Sequence, residues 1–139
     1  MTAPIIQKVR FKASAKRLYA IYTDPDLHSE VTGAKAVISA TAGAPFSAFD
    51  GELRGVTLFA LPGRVFVQRW RSNAWPKADG DSILTLTFSN TAGEGVIELA
   101  HLNVPIHDQD GVKQGWHEYY WKPLRAWLAA APARRTGRR

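Results

Sequence analysis

The histidines are the residues whose type could carry catalytic or metal chemistry. His101 ends a predicted strand and could act as a general base or bond a ligand, because imidazole titrates near neutral pH. The alternative is a buried histidine bonded to a backbone carbonyl or to a helix side chain. We favour that alternative because no second catalytic group stands beside His101 in the sequence.

Metal and phosphate chemistry are not predicted. His101, His107 and His117 are separated by six and ten residues across a predicted strand, loop and helix, which matches no compact ligand pattern. The chain has no cysteine, so thiolate zinc sites, iron–sulfur clusters and disulfides are excluded. The glycines at Asp50-Gly51 and Gly93-Glu94-Gly95 form turns and do not open a helix after a strand, so no cofactor is expected.

Charge and length exclude several other classes. The chain of 139 residues has a net charge of +6, but four of its 18 basic residues are Arg134, Arg135, Arg138 and Arg139. Without them, 14 basic residues stand against 12 acidic ones, and +2 is a weak attraction for nucleic acid. The sequence has no apolar run of membrane-spanning length and no apolar leader at its start, so a cytoplasmic protein is expected.

The elements that must position these residues follow from periodicity. Apolar and basic side chains alternate over residues 5–13, which predicts a half-buried strand. Ser14 caps a helix that ends at Thr23, and Asp24 with Pro25 caps a short helix to about Val31. The predicted strands that follow are Ala36–Ala40, Phe46–Phe49, Leu53–Leu61, Arg64–Arg71, Ile83–Phe88 and Val96–Leu102. Short turns between them indicate an antiparallel meander.

A long helix follows, over about Gly111 to Ala131, with its aromatic residues at helical spacing and a kink at Pro123. The fold class is therefore α+β: a curved antiparallel sheet of about six or seven strands, wrapped on a long C-terminal helix. Residues 1–131 are expected to form one domain, and residues 132–139 a basic disordered tail.

Strand parity predicts which side chains face the helix. A curved sheet closed by an aromatic helix can leave an apolar cavity with a few polar groups, which is the usual form of a small-ligand site. The alternative is a core packed solid. The predicted lining is Phe59, Phe66, Gln68, Trp70, Leu86, Phe88, His101, Trp116, Tyr119 and Tyr120. Because strand side chains alternate between the two faces of a sheet, a register error of one residue would move any of these side chains to the outer face.

An ordered series of short motifs adds a resemblance. These motifs are Thr32-Gly33-Ala34-Lys35-Ala36-Val37-Ile38-Ser39, Phe46-Ser47-Ala48-Phe49-Asp50-Gly51, Val67-Gln68-Arg69-Trp70-Arg71, Trp75-Pro76, Leu99-Ala100-His101, Val104-Pro105, Gly115-Trp116, Tyr119-Tyr120-Trp121 and Pro123-Leu124. Over about residues 5–129 the chain resembles the family named for the activator of the heat-shock-protein-90 ATPase, at its C-terminal domain and the stand-alone bacterial proteins like it. The resemblance implies the START-like, helix-grip fold shared with polyketide cyclases.

Three hypotheses on function stay open. In the first, the domain binds a small apolar ligand between sheet and helix, as members of the resembled superfamily do. In the second, it is an interaction protein with a filled core, either a co-chaperone or a homodimer formed through an edge strand. In the third, it is an enzyme of cyclase, aromatase or hydrolase type, with His101 as acid or base and Tyr119 or Tyr120 as a donor.

Overall fold

The computed structural model describes the backbone of residues 3–138 and the side chains up to residue 130. Its strands are β1 (Ile5–Phe11), β2 (Pro45–Ala48), β3 (Leu53–Leu61), β4 (Val65–Ser72), β5 (Ser82–Thr91) and β6 (Glu94–Leu102). Its helices are α1 (Ala15–Thr23), α2 (Pro25–Thr32), α3 (Gln109–Trp116) and α4 (Lys122–Arg138). The predicted disordered tail lies outside the residues whose side chains are described.

The six strands form one antiparallel sheet in the order β1-β6-β5-β4-β3-β2, so the α+β prediction is confirmed. Both predicted helix starts are also confirmed. Ser14 accepts the Arg17 N–H, and Asp24 accepts the N–H groups of Asp26 and Leu27 ahead of α2.

A seventh strand over Ala36–Ala40 was expected and is not present. Only Val37 bridges to β2, through Ser47. The chain beyond Val37 folds over β3 instead, because its backbone groups form hydrogen bonds with Thr57. The Thr57 hydroxyl donates to the Ser39 carbonyl at 2.7 Å, and the Thr57 carbonyl accepts the Gly43 N–H at 2.7 Å.

The predicted inward orientation of Phe59 is wrong. A β-bulge lies between Thr57 and Phe59, where the register against β4 shifts by one residue. Thr57 is buried, whereas Phe59 points outwards and is 52% exposed. Ala60, opposite Phe66, takes the inward position that strand parity had assigned to Phe59.

The C-terminal helix contains a π-helical segment over His117–Trp121, between α3 and α4. In this segment the Lys122 N–H donates to the His117 carbonyl, five residues back. Pro123 has no N–H to offer the Tyr119 carbonyl, and a π turn is one way to absorb that loss. A π turn thus lies where a kink was expected, and it contains both Tyr119 and Tyr120.

The inner face of the sheet is packed solid over most of its length. Phe66, Leu84, Leu86 and Leu99 are at most 1% exposed. Helix α1 covers β5 and β6, where Tyr19 meets Phe88 edge-on at 5.4 Å. Beside these packed residues, a larger open space lies near the β3–β4 end of the sheet.

Candidate ligand-binding groove

A groove of about 410 Å³ lies between the β3–β4 end of the sheet and helix α3. It is open to solvent at one rim, where Tyr119 is 62% exposed. Its lining consists of Phe49, Glu52, Leu53, Trp70, Ser72, Asp108, Gly111, Val112, Gly115, Trp116, Tyr119 and Tyr120.

Aromatic rings form the walls of the groove. Trp70 on β4 lies 6.2 Å from Trp116 on α3, and Trp116 lies 4.6 Å from Tyr120 in the π turn. Phe49 closes the opposite side, with edge-on contacts to Tyr119 at 5.9 Å and Tyr120 at 5.6 Å. The rings come from β4, the turn after β2, α3 and the π turn, so the groove is formed by the tertiary fold.

The turn that carries Phe49 is set by local backbone geometry. Phe49 and Asp50 both have positive φ, at 52° and 56°, and Gly51 follows at 92°. Asp50 ties the turn to Lys35, because its N–H donates to the Lys35 carbonyl and its carboxylate accepts the Lys35 N–H. The Asp50-Gly51 turn predicted from the sequence is thus present, and it holds Phe49 over the groove.

Two glycines open the helix side of the groove. Gly111 and Gly115 lie one turn apart on α3 and both line it. A Cβ at Gly115 would meet only the Tyr119 ring, at 3.7 Å. Side chains at these positions would occupy the space that the ring walls enclose.

Two carboxylates supply the charge of the groove. Asp108 precedes α3 and accepts the indole N–H of Trp75 at 2.7 Å. Glu52 lies in the turn before β3 and is exposed. Within residues 3–130, neither carboxylate forms an ion pair with a basic side chain.

His101 is fully buried behind the groove and bonded at both ring nitrogens. Its Nδ1 accepts the Trp116 indole N–H at 3.1 Å, so the proton is on Nε2. That N–H donates to the Ser82 hydroxyl at 2.8 Å, and Ser82 in turn donates to the Trp70 carbonyl at 2.6 Å. Burial lowers the pKa of His101 to about 3, so the ring is neutral. In this arrangement His101 joins Trp116 to Ser82 and, through the Ser82 hydroxyl, to the Trp70 carbonyl on β4.

His28, on α2 and in none of the sequence motifs, is likewise buried and hydrogen-bonded at both ring nitrogens. Its Nδ1–H donates to the Tyr22 carbonyl at 2.8 Å, and its Nε2 accepts the Tyr120 hydroxyl at 3.0 Å. Burial lowers the pKa of His28 to about 4, against the opposing effect of the bond to Tyr22. Burial also raises the pKa of Tyr120 above its usual range. Tyr120 therefore stays a protonated donor, held by a histidine of the predicted helix α2.

The structure brings four of the ten predicted lining residues together at the groove: Trp70, Trp116, Tyr119 and Tyr120. Phe66, Gln68, Leu86, Phe88 and His101 are buried in the filled core instead. Gln68 accepts the Tyr22 hydroxyl there at 2.7 Å. These five residues are buried because α1 covers the middle of the sheet.

Phe49, Glu52 and Asp108 line the groove and were not predicted. The Asp50-Gly51 turn signal stood beside two of them, but a turn signal does not say what the turn faces. Among residues 3–130, no three histidine or acidic side chains come together as a metal site. Over the same part of the chain, every helix is too short or too polar to span a membrane.

The fold and the position of this groove define the class of protein, a START-like domain in which a curved sheet grips a C-terminal helix. More particularly, the chain belongs to the family described as Activator of Hsp90 ATPase homolog 1-like protein, whose model matches residues 12–129. The human Activator of 90 kDa heat shock protein ATPase homolog 1 is 30% identical over 124 residues, covering 89% of this chain and 36% of the human protein. The chain thus spans about a third of the length of the curated relatives it matches.

Solved structures share the same fold. An HSP90 activator from Plasmodium falciparum superposes with a TM-score of 0.83 at 20% identity, covering 92% of this chain and 97% of that one. An Aha1 dimer from Colwellia psychrerythraea gives a TM-score of 0.77 at 14% identity, covering 91% and 96%. The likeness at these identities concerns the fold.

Proposed function

We propose that the domain binds a small, largely apolar molecule in the groove between α3 and the β3–β4 end of the sheet. The observation that carries this proposal is a preformed space of about 410 Å³ walled by five aromatic side chains. Small-molecule sites are typically concave, mostly apolar and roughly 300–1,000 Å³ in volume.

Helix α3 adds a second support. Glycine costs a helix interior about 1 kcal/mol relative to alanine. Gly115 faces the groove and keeps it open at the expense of helix stability, because a Cβ there has room beside Tyr119. A purely structural helix would gain from a side chain at this position.

The test fills the groove from Gly115. The neutral probe N-phenyl-1-naphthylamine, which fluoresces in apolar surroundings, is titrated into the full chain. We expect saturable binding by the wild type and a loss of at least about tenfold in affinity for Gly115→Leu, because the leucine occupies the probe's space. Gly115→Ala is the matched control, since its methyl group makes only ordinary contact with Tyr119.

Equal binding by Gly115→Leu and wild type would overturn this location of the site. Circular dichroism of each variant establishes that the fold is retained. An absence of saturable binding by wild type would overturn the proposal that the groove takes apolar molecules.

A second candidate function is contact with an Hsp90-type chaperone. It is favoured by the family and by the 30% identity to the human activator. The region of identity covers 89% of this chain, so the proposed contact is assigned to the START-like domain.

The homodimer through an edge strand stays a prediction. Strands β1 and β2 are the edges of the sheet, and Ile6 on β1 is 67% exposed.

A further inference from the structure

The charged groups that line the groove are all acidic, and we propose that its ligand is an organic cation: an amine or quaternary ammonium group carried on an apolar body. This inference rests on the proposed function and names the chemical class of the ligand. Among the described lining residues, Glu52 and Asp108 carry negative charge and none carries positive charge. The chain as a whole has a net charge of +6, so overall composition does not explain an acidic groove.

The basic residues closest along β4 are already engaged elsewhere. The Arg71 guanidinium bonds to the Asp81 carboxylate at 2.9 Å, and it also donates to the carbonyls of Pro76 and Asp79. Arg69 pairs with Asp81 at 3.9 Å. Both arginines alternate with inward-facing Trp70 and therefore lie on the outer face of the sheet. Neither arginine therefore neutralises the carboxylate of Glu52 or Asp108.

The ring walls suit a cation for an independent reason. The faces of aromatic rings carry negative potential, and cations bind over them within about 6 Å of the ring centre, most favourably over tryptophan. The groove presents two tryptophans, two tyrosines and a phenylalanine. Aromatic walls with carboxylates at the rim would bind the positive end of a ligand while the same rings accept its apolar body.

An anionic ligand is disfavoured by the placement of Asp108. The amino end of α3 could attract an anion through its free N–H groups. However, the Asp108 carboxylate lies over this turn, so close to Gly111 that a Cβ there would collide with it. An anion would have to displace this carboxylate and break its bond to Trp75.

The experiment compares three probes of nearly equal shape on the full chain. These are 2-naphthylmethyl-trimethylammonium, its uncharged carbon analogue 2-neopentylnaphthalene, and the anion 2-naphthylacetate. Binding is measured by displacement of N-phenyl-1-naphthylamine. We expect the cation to bind about tenfold more tightly than the uncharged analogue, and the anion to bind most weakly.

The variants Glu52→Gln and Asp108→Asn remove the charges while keeping similar shapes, and the asparagine can still accept the Trp75 N–H. We expect the double variant to lose most of the cation's advantage while its affinity for 2-neopentylnaphthalene stays within about twofold. Glu98→Gln, an exposed carboxylate on β6, is the matched control and should leave all three affinities unchanged.

The outcomes separate the two proposals. Equal affinity for the cation and its uncharged analogue overturns the charge preference and leaves the apolar groove standing. An advantage that survives in the double variant overturns the role of Glu52 and Asp108 and assigns the preference to the aromatic rings. Failure of wild type to bind any probe, including N-phenyl-1-naphthylamine, overturns the proposed function itself. Tightest binding by 2-naphthylacetate would assign the groove to anions.

Discussion

At the scale of single residues, two buried histidines hold aromatic side chains of the C-terminal helix. His101 links Trp116 to the sheet, and His28 links Tyr120 to α2. Both rings are hydrogen-bonded at both nitrogens in the neutral form. For His101 to act as an acid or base, it would have to give up its bond to Trp116 or to Ser82. The structure therefore favours the positioning role expected from the sequence over proton transfer.

The two histidines predict a loss of stability in acid. Below pH 6.5 the unfolded chain protonates at both positions, whereas the folded chain keeps His28 neutral to about pH 4 and His101 to about pH 3. The unfolded state then binds more protons, so the free energy of unfolding falls as pH decreases through this range. Each histidine should contribute a loss of about 2 kcal/mol between pH 7 and pH 5.

Urea unfolding at pH 7 and pH 5 measures this effect. His101→Gln should show a smaller loss between the two pH values than wild type, and the exposed His117→Gln should behave like wild type. If His101→Gln does not fold, nitrogen NMR shifts of the wild-type rings decide the matter. A protonated His101 at pH 5, or an unchanged pH dependence in His101→Gln, would contradict the prediction.

At the scale of elements, α1 lies so close to β6 that a glycine is required between them. A Cβ at Gly95 would collide with the Ala13 carbonyl oxygen and with the Leu18 side chain. This close contact lets α1 cover the middle of the sheet.

Gly95→Ala should therefore lower the free energy of unfolding by about 1–3 kcal/mol, as overpacking of a core does. Gly115→Ala is the comparison, because it has room and should raise stability by up to about 1 kcal/mol through helix propensity. Denaturant unfolding of both variants checks the pair. A Gly95→Ala variant as stable as wild type would show that α1 can move away from β6 at little cost.

At the scale of the whole molecule, the two candidate functions predict different masses. Native mass spectrometry of the freshly purified full chain should show an adduct of a few hundred daltons that is lost on denaturation, in keeping with the groove's volume. The Gly115→Leu variant should lack this adduct. The same spectra report whether the chain is a monomer or a dimer.

Purified Hsp90 added to the same sample tests the second candidate. A stoichiometric complex that also forms with Gly115→Leu would assign a chaperone contact to the surface of the domain. An unliganded chain with no complex in either sample would contradict both candidates. The expected cytoplasmic location is a separate prediction, which fractionation of the source cells would check.

The sequence by itself determined the α+β fold class, the six strands of the antiparallel sheet, both helix caps and the family resemblance, although it also predicted a strand over Ala36–Ala40 that did not form. These features depend on local signals: alternation in strands, Ser14 and Asp24 before helices, and glycine in turns. It also identified the aromatic residues of the C-terminal helix, three of which line the groove.

Only the tertiary structure decided where open space remains and which side chains face it. The bulge at Thr57 inverted the parity of Phe59, and the chain of the expected strand Ala36–Ala40 bonds to Thr57 at Ser39 instead of forming a seventh strand. Phe49 and Glu52, from one turn, meet Asp108 at the groove, although Asp108 lies far along the chain from them. Period-two and helical patterns say which residues share a face. They do not say how closely one element approaches another, and that distance determines whether a core is filled or open.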